Sequence, residues 1–117
     1  MSTVKNINYL NQIFGKEKYN SYFTKQYQNH VKELLVSDIV DTNLTVGLDD
    51  KRNVVFEYMS ESMDFFMELH FLRKSPIRYI LTMVESKGKR KDTIEVQTTD
   101  LNVIYQQLEL HKDKLLE

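Results

Sequence analysis

The stretch of residues 63–72, MDFFMELHFL, decides the fold, because its own pattern fits a strand while its flanks fit a helix. Ser60 or Ser62 could cap a helix here, and Pro76 could end it. Met63, Phe65, Met67, Leu69 and Phe71, however, recur at every second position, whereas on a helical wheel the apolar residues would scatter around the axis. The period therefore favours a strand within residues 61–74. One face of that strand would hold Met63, Phe65, Met67, Leu69 and Phe71, and the other would hold Phe66 and Leu72.

The same period of two continues on both sides of this stretch. It predicts one hairpin around a polar turn at residues 49–52 and a second around residues 87–91, where Gly88 would supply a positive φ. The inward positions of the first hairpin are Leu44, Val46 and Leu48, then Val54, Phe56 and Tyr58. Those of the second are Ile77, Tyr79, Leu81 and Met83, then Ile94, Val96 and Thr98.

Helical spacing flanks the strands. A short apolar stripe ends at Gly15, and a longer one recurs every four residues through Tyr19, Phe23, Tyr27 and Val31. A third helix would start at a cap on Thr99 or Asp100. We therefore predict an α+β fold over residues 1–117 as a single two-layer domain. It has two amino-terminal helices, an antiparallel meander of four to five strands and a carboxy-terminal helix.

Composition narrows the class of protein. The chain has no cysteine, no apolar leader in its first residues and no run long enough to span a membrane, so we predict a cytoplasmic protein without membrane contact. It has no Ala or Trp and is rich in Lys, Asn, Ile and Tyr, a skew typical of AT-rich coding. We expect its gene to come from a low-GC bacterium, or from a phage or mobile element living in one.

The net charge of −1 hides segregated blocks. Residues 35–72 hold eight acids against two cations, and residues 73–91 hold seven cations against one acid. The acidic block includes Asp38, Asp41, Asp49, Asp50, Glu57 and Glu61, which could imitate nucleic acid toward a basic protein. The basic block includes Lys87, Lys89, Arg90 and Lys91, which could contact phosphates, although no aromatic side chain at that turn could stack on a base.

A metal-dependent enzyme is a further alternative. On a strand, Asp64, Glu68 and His70 would project from one face, and an imidazole with two carboxylates can bind a transition metal. No second ligand cluster is near in sequence, and no nucleophile or phosphate-loop motif is present. We therefore predict no catalytic residues, no metal and no cofactor.

The function predicted from sequence is that of a small non-catalytic regulator or inhibitor that binds a partner protein. The contact would use a sheet face or an acidic surface, through Asp49, Asp50, Glu57, Phe66 and Leu72. Because Phe66 and Leu72 would be left uncovered, a second copy of the chain is an alternative occupant of that face. The two other functions are nucleic-acid binding through the basic turn and metal chemistry around Glu68 and His70.

Overall fold

The computed structural model describes residues 2–16, 23–35 and 44–115. Two helices precede a five-stranded antiparallel sheet, and two more follow it. The helices are α1 (Ser2–Phe14), α2 (Lys25–Leu35), α3 (Leu101–Leu110) and α4 (Lys112–Leu115). The strands are β1 (Thr45–Leu48), β2 (Val54–Met59), β3 (Phe65–Leu72), β4 (Arg78–Lys87) and β5 (Arg90–Thr98). The predicted α+β architecture with an antiparallel meander is confirmed, and Phe65–Leu72 of the stretch 63–72 form strand β3.

All five strands lie in sequence order, β1-β2-β3-β4-β5, so each pairs with its neighbour along the chain. The inward apolar side chains of the three central strands are buried; among them are Phe56, Met67, Phe71 and Leu81. The helices bury their own stripes against the same face, including Leu10, Leu34, Ile104 and Leu108. The molecule is therefore a helix layer on one face of a sheet.

Tyr27 joins the two layers. Its side chain is fully buried, and its hydroxyl donates to the Phe71 carbonyl and accepts from the Val54 amide at 2.8 Å. Val54 and Phe71 are paired residues of β2 and β3, so one side chain of α2 ties these two strands together. Burial raises the pKa of Tyr27 above its usual range, so the hydroxyl stays protonated and can donate.

The other end of the sheet is held by the carboxy-terminal helices. Asp100 caps α3 by accepting a hydrogen bond from the Asn102 amide, as predicted for that position. In α4, Lys114 forms an ion pair with Glu85 of β4, and the Lys114 carbonyl accepts a hydrogen bond from the Tyr58 hydroxyl at 3.1 Å. These contacts fix the layer that covers the inward face of β2 and β4.

Two details of the predictions are wrong. The long helix starts at Lys25 and not before Phe23, because the Thr24 hydroxyl accepts a hydrogen bond from the Tyr27 amide at 3.2 Å and so acts as a cap; Tyr19 lies outside the described residues. Met63 does not face the core: it precedes β3, has a φ of 62° and is 72% exposed. The alternating pattern runs into the β2–β3 turn, where the positive φ reverses the direction of the side chain.

None of the helices in the described ranges combines the length and apolar character that crossing a bilayer requires.

Candidate functional site: the open face of the sheet

The candidate site is the sheet face that points away from the helix layer, which we name the open face. The buried apolar residues of the described helices belong to the core cluster, which lies on the opposite face. Its side chains alternate with the buried ones along each strand, and strand register arranges them in rows that run across the sheet. Most of its apolar members are half-buried, while Val55 is buried and Met59 is exposed.

The first row is apolar. Met59 pairs with Phe66, and Phe66 pairs with Val84, so three apolar side chains lie side by side on β2, β3 and β4. Met59 is 46% exposed. A contiguous apolar strip on a polar surface is typical of a contact with another molecule.

The second row, which we name the acidic row, crosses four strands as Glu57, Glu68, Thr82 and Glu95. Glu57 lies directly opposite Glu68, and like charges in such a cross-strand pair destabilise a sheet. Among the described residues neither Glu57 nor Glu95 has a cation partner. The open face thus keeps negative charge that its own fold does not neutralise.

The third row contains Val55, His70 and Ile80. His70 lies between two carboxylates: its Nε2 contacts Glu68, and its Nδ1 lies 3.4 Å from Oδ2 of Asp49. A neutral imidazole has one N–H and a protonated imidazole has two, so only the protonated ring donates to both carboxylates.

Asp49 is fixed by the turn that follows β1. One oxygen of its carboxylate accepts from the amides of Lys51 and Asn53 at 2.8 and 2.9 Å, and the other accepts from the Asn53 side chain at 3.1 Å. Burial acts to raise the pKa of Asp49, but these hydrogen bonds, with that of His70, outweigh it and hold the pKa below its usual range. Asp49 therefore stays ionised beside the acidic row.

A cleft of about 250 Å³ opens where the second and third rows meet β1. Asp49, Glu57, Glu68 and His70 line it. Gly47 lies in its wall, and a Cβ built on Gly47 would meet no atom within 4 Å, so the missing side chain leaves this space open. The cleft suits a cation such as the end of a lysine or arginine side chain.

Of the five residues predicted for partner binding, only two line this cleft. Asp49 and Glu57 line the cleft, while Phe66 and Leu72 lie on the open face at the two ends of β3. Asp50 is exposed in the adjoining turn and does not line the cleft. Asp38 and Asp41 lie outside the described residues. The residues predicted for partner binding do not include Glu68, His70 and Glu95. These three lie on the same face, and only the pairing of the strands shows that they do.

The alternative prediction of a metal site around Glu68 and His70 requires a third ligand beside them. Among the described residues no three His, Asp, Glu or Cys side chains are arranged to hold a metal ion. Glu68 and His70 contact each other, and Asp64 lies in the turn before β3, where it accepts hydrogen bonds from Ser60 and Ser62. That turn fixes Asp64 away from the pair.

The basic turn between β4 and β5 is a two-residue loop, because Lys87 pairs with Arg90. Gly88 has a φ of 64°, as predicted for this position. Lys87 lies 3.1 Å from Glu85, and Arg90 donates to Asp92 at 2.9 Å, so two of the four cations have acidic neighbours. The turn points away from the cleft, at the end of the sheet opposite to Arg73 and Lys74.

Comparison with protein-family models, with curated proteins and with solved structures finds no match to this chain.

Proposed function

We propose that this chain is a non-catalytic binding protein whose open face holds a partner protein with basic side chains beside an apolar patch. The observation that carries the proposal is the acidic row. Glu57 faces Glu68, a like-charge pair that is expected to destabilise the sheet, and neither Glu57 nor Glu95 meets a cation in the described part of the chain. A row of lysine or arginine side chains on a partner would remove that cost and match the charge.

The apolar row supplies the second part of the recognition. Met59, Phe66 and Val84 lie next to the acidic row, so a partner that engages one also covers the other. Burying such side chains contributes about 25 cal/mol for each Å² of apolar surface removed from water. Charge then orients the partner, while the apolar row supplies most of the gain in free energy.

The size of the face sets the kind of contact. Five strands about 4.8 Å apart and an eight-residue β3 define a face of roughly 600 Å². A standard interface buries roughly 800 Å² on each partner. We therefore expect a contact in the smaller, transient class unless the turn at residues 49–52 also takes part.

A second copy of the chain fits this face poorly. A two-fold axis through the acidic row would place Glu57, Glu68 and Glu95 opposite the same three residues of the other copy. Like charges that meet in this way cost free energy, so a partner of opposite charge is favoured over self-association.

The test is capture of partners from host lysate on the tagged chain after nuclease treatment. The variant Glu57→Gln/Glu95→Gln removes two exposed charges from the open face. Its matched control, Glu109→Gln/Asp113→Asn, removes two exposed charges from α3 and α4 in the other layer. We expect the wild type and the control to retain the same protein, and the open-face variant to lose it at least tenfold.

Equal loss in both variants would show that only net charge matters and would contradict the proposal. A doubling of the 14.0 kDa mass of the purified chain that the open-face variant abolishes would assign the face to a second copy instead. Asp49 and Asp50 are weaker positions for this test, because the Asp49 carboxylate also holds its own turn together.

We further propose that the protein inhibits its partner and is encoded by a phage or mobile element. It predicts that the captured partner is a basic protein whose activity falls when the wild-type chain is added and does not fall with Glu57→Gln/Glu95→Gln. A captured partner that is acidic on its contact surface would contradict it.

A further inference from the structure

A second cleft, of about 270 Å³, lies at the end of the sheet where β3 passes into β4. Three separate segments form it: the turn before β2, the end of β3 with the loop that follows, and the start of β4. Its lining residues are Lys51, Asn53, Leu72, Arg73, Lys74 and Arg78. We name it the cationic cleft.

The walls of the cationic cleft are fixed by hydrogen bonds. The Arg73 amide donates to Oδ1 of the buried Asn53 at 3.0 Å, and Nε of Arg73 donates to the Lys51 carbonyl at 3.2 Å. Leu72 and Arg78 are paired residues on β3 and β4. The backbone that forms the cleft is therefore held in place by the folded sheet and its turns.

The lining of the cleft is rich in positive charge. Four of its six lining residues are cations, and none is acidic. Among the described residues Lys51, Lys74 and Arg78 have no acidic partner. The carboxylate of Asp49, in the turn next to Lys51, already contacts the Lys51 amide, Asn53 and His70. Cations held together without a counter-charge repel one another, and a bound anion would reverse that cost.

From this arrangement we infer that the cationic cleft binds a phosphate monoester group. A monoester carries about −1.5 to −2 charges at neutral pH and offers several acceptor oxygens, whereas a carboxylate would leave most of the positive charge unmatched. A guanidinium group such as that of Arg78 can hold two phosphate oxygens. Leu72 provides an apolar wall for the organic part of the ester. The site is separate from the acidic row and does not rest on the protein-binding proposal.

The experiment is a titration of the isotope-labelled protein with phenyl phosphate at constant ionic strength, followed by backbone amide shifts. Benzoate serves as the probe with the same ring and one charge, and inorganic phosphate as the probe without the ring. We expect saturable shifts centred on residues 51–53 and 72–78. We also expect phenyl phosphate to bind at least several-fold more tightly than either of the other two probes.

Two variants locate the site. Lys74→Gln/Arg78→Gln removes two exposed cations of the cleft, neither of which forms an ion pair in the described chain, and should weaken phenyl phosphate binding at least tenfold. The matched control, Lys89→Gln/Lys91→Gln, removes two exposed cations from the β4–β5 turn and should change binding less than twofold. Unchanged amide spectra away from the substitutions would show that both variants fold.

Equal weakening in both variants would overturn the inference, because the binding would then reflect overall charge. Equal affinity for benzoate would exclude a dianion as the ligand. Tighter binding of a single-stranded oligonucleotide that the Lys89→Gln/Lys91→Gln variant abolishes would assign phosphate recognition to the β4–β5 turn and overturn the site.

Discussion

Replacing Glu57 by Gln should make the protein more stable and, at the same time, a weaker binder. Glu57 is exposed on β2, directly opposite Glu68 on β3. Two carboxylates about 6 Å apart in a medium close to water repel by about 0.7 kcal/mol, and screening over a Debye length of about 10 Å at 0.1 M salt reduces this to about 0.4 kcal/mol. Glu57→Gln removes the repulsion and keeps the shape of the side chain.

The assay is urea unfolding of wild type, Glu57→Gln and Glu95→Gln. Glu95 lies on the same face but opposite Thr82, so its replacement relieves no cross-strand repulsion and controls for the Glu-to-Gln change itself. With a denaturant slope of about 2 kcal/mol per molar urea, we expect the Glu57→Gln midpoint to rise by about 0.2 M and the Glu95→Gln midpoint to stay unchanged.

Salt provides the internal check. At about 1 M salt the Debye length falls to about 3 Å, so the gain from Glu57→Gln should almost vanish. A Glu57→Gln protein that is less stable than wild type, or equal shifts in the two variants, would refute the reasoning. The cost that Glu57 imposes on the fold would then have no electrostatic basis, and the main support for a basic partner would be lost.

Three further predictions concern the fold that presents this face. Tyr27→Phe should lower the free energy of unfolding by about 2–4 kcal/mol in denaturant titration, because the buried Val54 amide and Phe71 carbonyl both lose their hydrogen bond to the hydroxyl. A loss below about 1 kcal/mol would contradict this, because it would mean that the two backbone groups find other hydrogen-bond partners. Met63→Gly should raise stability by about 0.5 kcal/mol in the same assay, because glycine relieves the positive φ of an exposed residue, and a less stable variant would contradict the assigned turn. Asp49 has a pKa below its usual range in the folded protein, so the stability that its carboxylate contributes should be complete above the unfolded pKa of about 3.9 and should fall as the pH drops toward the lower folded pKa. The free energy of unfolding of wild type should therefore exceed that of Asp49→Asn by more at pH 6 than at pH 3. The same difference at both pH values would refute this prediction.

The layers of the fold can be predicted from the local spacing of apolar residues. The error at Met63 arises because this spacing does not show where a strand gives way to a turn. Phe65, Met67, Leu69 and Phe71 alternate because one face of β3 is buried, so the period outweighs the helix-like flanks. Met63 continues the same period by coincidence, since pattern alone does not show that the Ser60 carbonyl and the Met63 amide close a turn there.

The candidate site is harder to predict, because it depends on register. Alternation shows that Glu57 and Glu68 point away from the core, but it does not show that they pair, since that depends on the length of the turn between β2 and β3. The cationic cleft joins Lys51 to residues more than 20 positions away, and no local pattern connects those segments. Phe66 and Leu72 are predictable because they occupy the polar positions of an alternating strand.

The most direct test of the central claim is to locate the bound partner on the protein surface. The chain has no cysteine, so a single introduced cysteine can carry a photo-crosslinker at one known position. Thr93→Cys places it at an exposed position on the open face, and Gln106→Cys places it on the exposed side of α3 in the opposite layer. We predict that, in nuclease-treated host lysate, the Thr93→Cys protein crosslinks to a basic protein and the Gln106→Cys protein does not. Crosslinking from Gln106→Cys alone would place the partner on the helix layer and would contradict the assignment of the open face.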